Sequence, residues 1–131
     1  MSITFVTKLS EKIQGLKIIT PSVFEESRGS IWTSYNSVQL EALLPEGLFF
    51  KHDKFSRSKQ NVLRGIHGDN KSWKLVSCVS GSIMQVVVDM RPLSSTYLAH
   101  ECFDLGSHNH QMILIPPKLG NAFYVSSESA I

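Results

Sequence analysis

WKLVSCVSGSIMQVVVDM, residues Trp73 to Met90, holds two apolar runs on either side of Ser80-Gly81. Trp73 to Val79 and Ser82 to Met90 are of strand length and rich in Val and Ile, and Ser-Gly is a two-residue turn signal. The stretch predicts a β-hairpin. Working outward, Leu16 to Thr20 is a β-branched run ended by Pro21, Gln111 to Ile115 is an apolar run ended by Pro116-Pro117, and Ala122 to Val125 begins another. One segment reads as helix: Ser37 to Leu44 sets Val38, Leu40, Leu43 and Leu44 on about one face, with Ser37 as N-cap and Pro45 and Gly47 as stop signals. Short strands with turns about every eight to twelve residues, and one short helix, predict an all-β sandwich or barrel. A closed or double-sheet form is favoured because exposed strand edges must be covered.

Composition narrows the class. The chain has 131 residues, 42% hydrophobic and 18% charged, which suits one domain over residues 1–131 and argues against disorder. No apolar run approaches the roughly 18 residues of a membrane span, and the first residues, MSITFVTKLSEKIQG, lack a basic segment followed by an apolar block. A cytoplasmic protein without a membrane partner is expected. Thirteen Lys and Arg against eleven Asp and Glu leave a net charge of +2, too little for a dense nucleic-acid-binding face. Cys78 and Cys102 have no CxxC spacing and read as two buried thiols.

Three clusters carry candidate chemistry: Phe24 to Trp32 (FEESRGSIW), Phe50 to Asp69 (FKHDKFSRSKQNVLRGIHGD) and Ile115 to Val125 (IPPKLGNAFYV). The densest is Arg64-Gly65-Ile66-His67-Gly68, whose glycines let backbone approach a ligand closely. Extended alternation would set Arg64 and Ile66 on one side and Gly65 and His67 on the other. His67 suits either a general base, because imidazole titrates near neutrality, or a structural hydrogen-bonding role. Arg64 and Lys74 suit either an anion, Arg through bidentate contacts, or ordinary surface charge. A metal centre is not expected. Only His108 and His110 are closely spaced, in a polar stretch that reads as exposed loop, and a catalytic zinc needs three protein ligands. Trp32, Phe49, Phe50, Phe55 and Trp73 read as core.

These motifs, taken in order, resemble the dTDP-4-dehydrorhamnose 3,5-epimerase family of cupins. Arg28-Gly29, the S-x-x-NVLRGIH of Ser58 to His67, the KLVSCVSGSIMQVVVDMR of Lys74 to Arg91 and IPPKLGNAFYV correspond to the family's DxRG, SxxGVLRGLHYQ, KLVxVxxGxVxDVxVDLR and IPPGFAHGFxV. The resemblance runs from about Gln14 to the last residue. It implies a double-stranded β-helix (cupin jelly roll) with one short helix, a homodimer, and an isomerase that needs neither metal nor cofactor. Its substrate would be a nucleotide-diphosphate-sugar with a 4-keto-6-deoxy ring, inverted at C3, C5 or both in surface-polysaccharide biosynthesis. By the same resemblance His67 falls on the catalytic base and Lys74 on the lysine near the keto oxygen, while Arg64 approaches the pyrophosphate and Arg28 the nucleotide.

Other positions depart from the rhamnose-type pattern. His52 and Lys54 stand where the family has glutamine and asparagine, Asn121 replaces the histidine of AHGF, and Gly68-Asp69 replaces Tyr-Gln. These changes match relatives acting on GDP-linked 6-deoxy-4-keto-heptoses, and of these residues His52, Lys54 and Asn121 are expected to touch substrate. The family continues past the position of Ile131 into a strand bearing its proton-donor tyrosine and an acidic residue that orients the histidine. The resemblance therefore implies a chain without these parts, binding nucleotide-sugar weakly and exchanging protons faster than it epimerises. The alternative reading is a catalytically incomplete cupin that binds nucleotide-sugars.

Overall fold

The computed structural model describes residues 2–131. Along the chain run β1 (Phe5–Leu9), β2 (Lys17–Pro21), β3 (Val23–Glu26), β4 (Gly29–Trp32), α1 (Ser37–Glu41), β5 (Ser58–Lys59) and β6 (Leu63–His67). They are followed by β7 (Lys74–Ser77), β8 (Ser82–Asp89), β9 (His100–Gly106), β10 (Met112–Ile115), β11 (Leu119–Val125) and β12 (Ser129–Ala130). Two four-stranded antiparallel sheets form, in the orders β1-β2-β10-β7 and β6-β11-β8-β9, with smaller pairs β5-β12 and β3-β4. No helix of the described residues is long and apolar enough to cross a membrane.

Alternation builds the core between the sheets. On β8 the buried residues are Ile83, Gln85, Val87 and Asp89, and the apolar ones meet Leu105, Ile113, Ile115, Leu119 and Val125. Each aliphatic side chain fully buried there contributes about 1.5–3 kcal/mol of transfer free energy. All four residues of β10 are buried because both its faces are covered. Ile113 and Ile115 enter the inter-sheet core, whereas Met112 and Leu114 join Ile19 and Leu40 under α1. That double burial explains an apolar run without alternation.

The predicted hairpin does not form. β7 pairs with β10, and β8 with β11 and β9, so the two runs lie in different sheets. Residues 78–81 carry the chain across, and the backbone groups a hairpin would have paired are taken by the last residue. Val79 N donates to Ile131 O at 2.8 Å, and Ile131 N donates to Ser80 O at 2.9 Å. Apolar residues on both runs gain more by facing each other across the core than by lying side by side.

Other expectations need correction. The helix stops at Glu41, and its cap is Asn36, whose Oδ1 accepts from Gln39 N at 3.0 Å, rather than Ser37. Only Leu40 of α1 is buried, while Val38 is exposed. Cys78 is buried but Cys102 is exposed, on an outward position of β9. Phe49 and Phe55 are exposed rather than core, Trp32 is half-buried, and Phe50 and Trp73 are half-buried against the cluster of Ile19, Leu40, Met112 and Leu114, as expected. His110 is half-buried and stacks on Trp32, ring centroids 3.9 Å apart.

Candidate active site

The RGIH segment forms β6, the edge strand of its sheet, which lies close against β11. A Cβ at Gly65 would stand 2.7 Å from both Asn121 O and Ala122 Cβ, and the backbone there has φ +119°, so only glycine fits. His67 pairs with Asn121 and Arg64 with Phe123, so three steps on β6 match two on β11. This bulge shifts the alternation. Residues directly opposite in an antiparallel pair point to the same face, and Asn121 and Phe123 share the face of β11 that pairs with buried Val87 and Gln85. Arg64 and His67 therefore both take the inner face, where simple alternation separates them. Tyr124, next along β11, takes the outer face, and its hydroxyl donates to Asn61 Oδ1.

Two amides sit behind His67. Asn121 Nδ2 donates to His67 O at 3.2 Å, and Gln85 Nε2 donates to Asn121 Oδ1 at 3.3 Å. Arg64 Nε donates to the buried Ser58 Oγ at 2.9 Å, and Ser58 lies 3.1 Å from Ser56 Oγ.

Ser56 and Phe123 are also walls of a cavity of about 460 Å³ at the adjoining edge of the other sheet. His52, Lys54 and Lys74 line it together with Tyr35, Phe50, Phe55 and Trp73. Tyr35 and Phe50 meet edge to face at 6.5 Å. Basic side chains and aromatic rings around one cavity suit a ligand with an anionic part and a flat apolar part. The structure thus gathers His52, Lys54 and Lys74 about one cavity, with Arg64, His67 and Asn121 on the adjoining inner face and not among its walls. Arg28 lies apart, at the tip of the β3–β4 hairpin, with an 83% exposed side chain paired to Glu26 at 2.6 Å.

His67 and Lys74 close the two ends of a loop organised by Asp69. Its Oδ1 accepts from Lys71 N at 2.8 Å and Ser72 N at 2.6 Å, and its backbone carbonyl accepts from Lys118 N at 2.8 Å. The Lys71 and Ser72 amides, with the Ser72 hydroxyl, hold the Asp69 carboxyl down to about 2, and the Lys74 charge adds a smaller attraction. Among the described residues no three His, Cys, Asp or Glu side chains converge on a point that would hold a metal ion. Sequence reasoning missed Ser58 and Gln85. Gln85 sits at an inward position between the apolar Ile83 and Val87, a placement that the sequence shows only once the facing of the strand is known.

Two facing antiparallel sheets with this connectivity make a cupin jelly roll, and β6 and the β7 edge frame its candidate site. Residues 10–131 match the family described as dTDP-4-dehydrorhamnose 3,5-epimerase, and the chain belongs to that family. It is 36% identical over 121 residues to the dTDP-4-dehydrorhamnose 3,5-epimerase of Salmonella typhimurium and 35% over 122 residues to that of Escherichia coli. These matches cover 90% and 91% of this chain, which spans 66% of the length of each relative. Among solved structures, the dTDP-6-deoxy-D-glucose-3,5-epimerase of Legionella pneumophila, in complex with dTDP-4-keto-L-rhamnose, superposes with a TM-score of 0.86 at 33% identity. That match covers 98% of this chain and 68% of the other. A 4-keto-6-deoxy sugar epimerase of novobiocin biosynthesis from Streptomyces spheroides gives 0.88 at 29% identity, covering 97% of this chain and 65% of the other.

Proposed function

We propose that this chain acts on a nucleotide-diphosphate-sugar bearing a 4-keto-6-deoxy ring, with His67 as the base and Lys74 as the stabiliser of the enolate. The supporting observation is the bulge in β6, which turns Arg64 and His67 together onto the inner face beside the cavity that Lys74 lines. In the proton-abstraction step the C–H bond beside the keto group breaks, its proton passes to the imidazole, and its electron pair moves to the carbonyl oxygen. A cation placed at that oxygen is most useful as charge develops there. Return of a proton to the opposite face inverts the carbon. Arg64, Lys54 and His52 are the proposed diphosphate and sugar contacts, with the aromatic cavity wall taking the nucleobase. Asn121 is proposed to shape the sugar end beside His67. The sugar is a hexose of the kind in the Legionella complex or the heptose to which His52, Lys54 and Asn121 point.

The test is solvent deuterium incorporation at C3 and C5 of dTDP- and GDP-linked 4-keto-6-deoxy hexoses and heptoses. Exchange is expected in the native chain and is expected to fall by about 10²- to 10⁴-fold in His67→Asn. Equal exchange in both overturns the assignment of the base. One observation favours a binding module instead: His67 is not a wall of the cavity. Tight nucleotide-sugar binding with no exchange in any substrate would establish that second reading. We further propose a homodimer in which the β3–β4 hairpin, with Arg28 at its tip, reaches the partner's site. Sedimentation of a stable monomer at micromolar concentration would end that proposal.

A further inference from the structure

Gln85 is fully buried on the inner face of β8, between Ile83 and Val87. Its link to His67 through Asn121 has a fixed polarity. The His67 carbonyl only accepts, so Asn121 must turn its NH2 toward His67 and its oxygen toward Gln85, and Gln85 must answer with its own NH2. The outcome is that Gln85 Oε1, buried, has no hydrogen-bond partner among the described residues. A buried acceptor without a partner opposes folding. Leucine of similar size would remove that defect and the amide link together.

We infer that Gln85 is a positioning residue for His67, acting through Asn121 to hold the end of β6 where the histidine projects. The inference rests on His67 being the base proposed above. The place needs such a tie. All five residues of β6 are exposed, the strand is an edge, and its pairing with β11 shifts register just before His67. Asn121 supplies a side-chain bond at that frayed end, and Gln85 fixes which way Asn121 faces.

The test compares the native chain with Gln85→Leu, Asn121→Ala and the double variant. NMR follows the His67 carbonyl ¹³C resonance and the pH titration of its imidazole, and deuterium exchange follows activity. Gln85→Leu is expected to melt no lower than the native chain and to bind dTDP within about twofold. It should move the His67 carbonyl resonance in the same direction as Asn121→Ala and slow exchange about 10- to 100-fold. The double variant should be no slower than the slower single one, because both remove one connection. An unchanged His67 resonance in Gln85→Leu, or effects that multiply in the double variant, overturns the inference. If Gln85→Leu fails to fold, Gln85→Met decides. It too lacks the amide that fixes which way Asn121 faces, so it must reproduce the shift. Failure of the base assignment itself appears elsewhere, as undiminished exchange in His67→Asn, and the carbonyl resonance still decides the positioning.

Discussion

Arg64 and His67 stand three residues apart on one strand and yet face the same side of the sheet, because β6 spends one extra residue against β11 between them. The two side chains share that face only through this irregularity, and Gly65 makes it sterically allowed.

Gly65→Ala is therefore expected to do two kinds of damage. The added methyl group meets Asn121 O and Ala122 Cβ at 2.7 Å, so stability should fall by about 1–3 kcal/mol as β6 moves off β11. Exchange activity should fall about 100-fold as His67 is displaced. Urea denaturation beside the deuterium assay checks both, and a native-like variant would show that β6 tolerates a side chain there.

Lys74→Met keeps the length of the side chain along the cavity wall and removes its charge. Exchange is expected to slow by about 10²- to 10³-fold, the scale of losing one group aimed at a developing oxyanion. Binding of dTDP should weaken far less. A loss confined to binding would assign Lys74 to the diphosphate instead.

Leu40 is the only buried residue of α1 and packs with Met112 and Leu114, in the cluster that also holds Phe50 and Trp73. Leu40→Ala should cost about 2–5 kcal/mol. Because Phe50 and Trp73 line the cavity, KM should rise with kcat little changed. Thermal melts and steady-state kinetics on the same preparation separate the two effects.

Acid sensitivity should centre on Asp89. Burial alone would raise its pKa, but hydrogen bonds from Arg91, Ser94 and Thr96 outweigh burial and hold the carboxyl well below its ordinary 3.8. A carboxyl depressed in the folded chain stabilises fully above the unfolded value and loses that contribution as pH falls toward the folded one. Asp69, held at about 2, adds to the same window. Melting temperature should thus be level above pH about 4 and decline below it. Asp89→Asn should melt lower at neutral pH and lose less on acidification, and a parallel decline in both would show that other groups control the acid limb.

The sequence carried the strands and the ordered motifs well, because short β-branched runs between Pro and Gly leave few alternatives. It misled where a local signal was overruled at long range. Ser80-Gly81 reads as a hairpin turn, and nothing nearby reveals that Ile131 takes the backbone groups of Val79 and Ser80. Cys102 reads as buried by residue type, yet its place in the alternation of β9 turns it outward. The site was legible as residue identities but not as geometry. A bulge has no signature beyond a glycine, so alternation put Arg64 and His67 on opposite faces. Gln85 went unread because a lone polar residue in a strand gains meaning only from what lies beside it.

The close seat of β6 on β11 divides this protein into fixed and variable text. Gly65 is closed to any side chain by Asn121 and Ala122, and Gly68 by the Leu119 carbonyl oxygen at 2.6 Å. Those two positions accept almost no mutation, whatever sugar is handled. The cavity wall from His52 to Ser56 lies outside regular structure and is largely exposed, so it is free to drift. New substrates, whether reached by natural divergence or by a library at the bench, should come from rewriting that segment while the glycine-tight strand is copied unchanged.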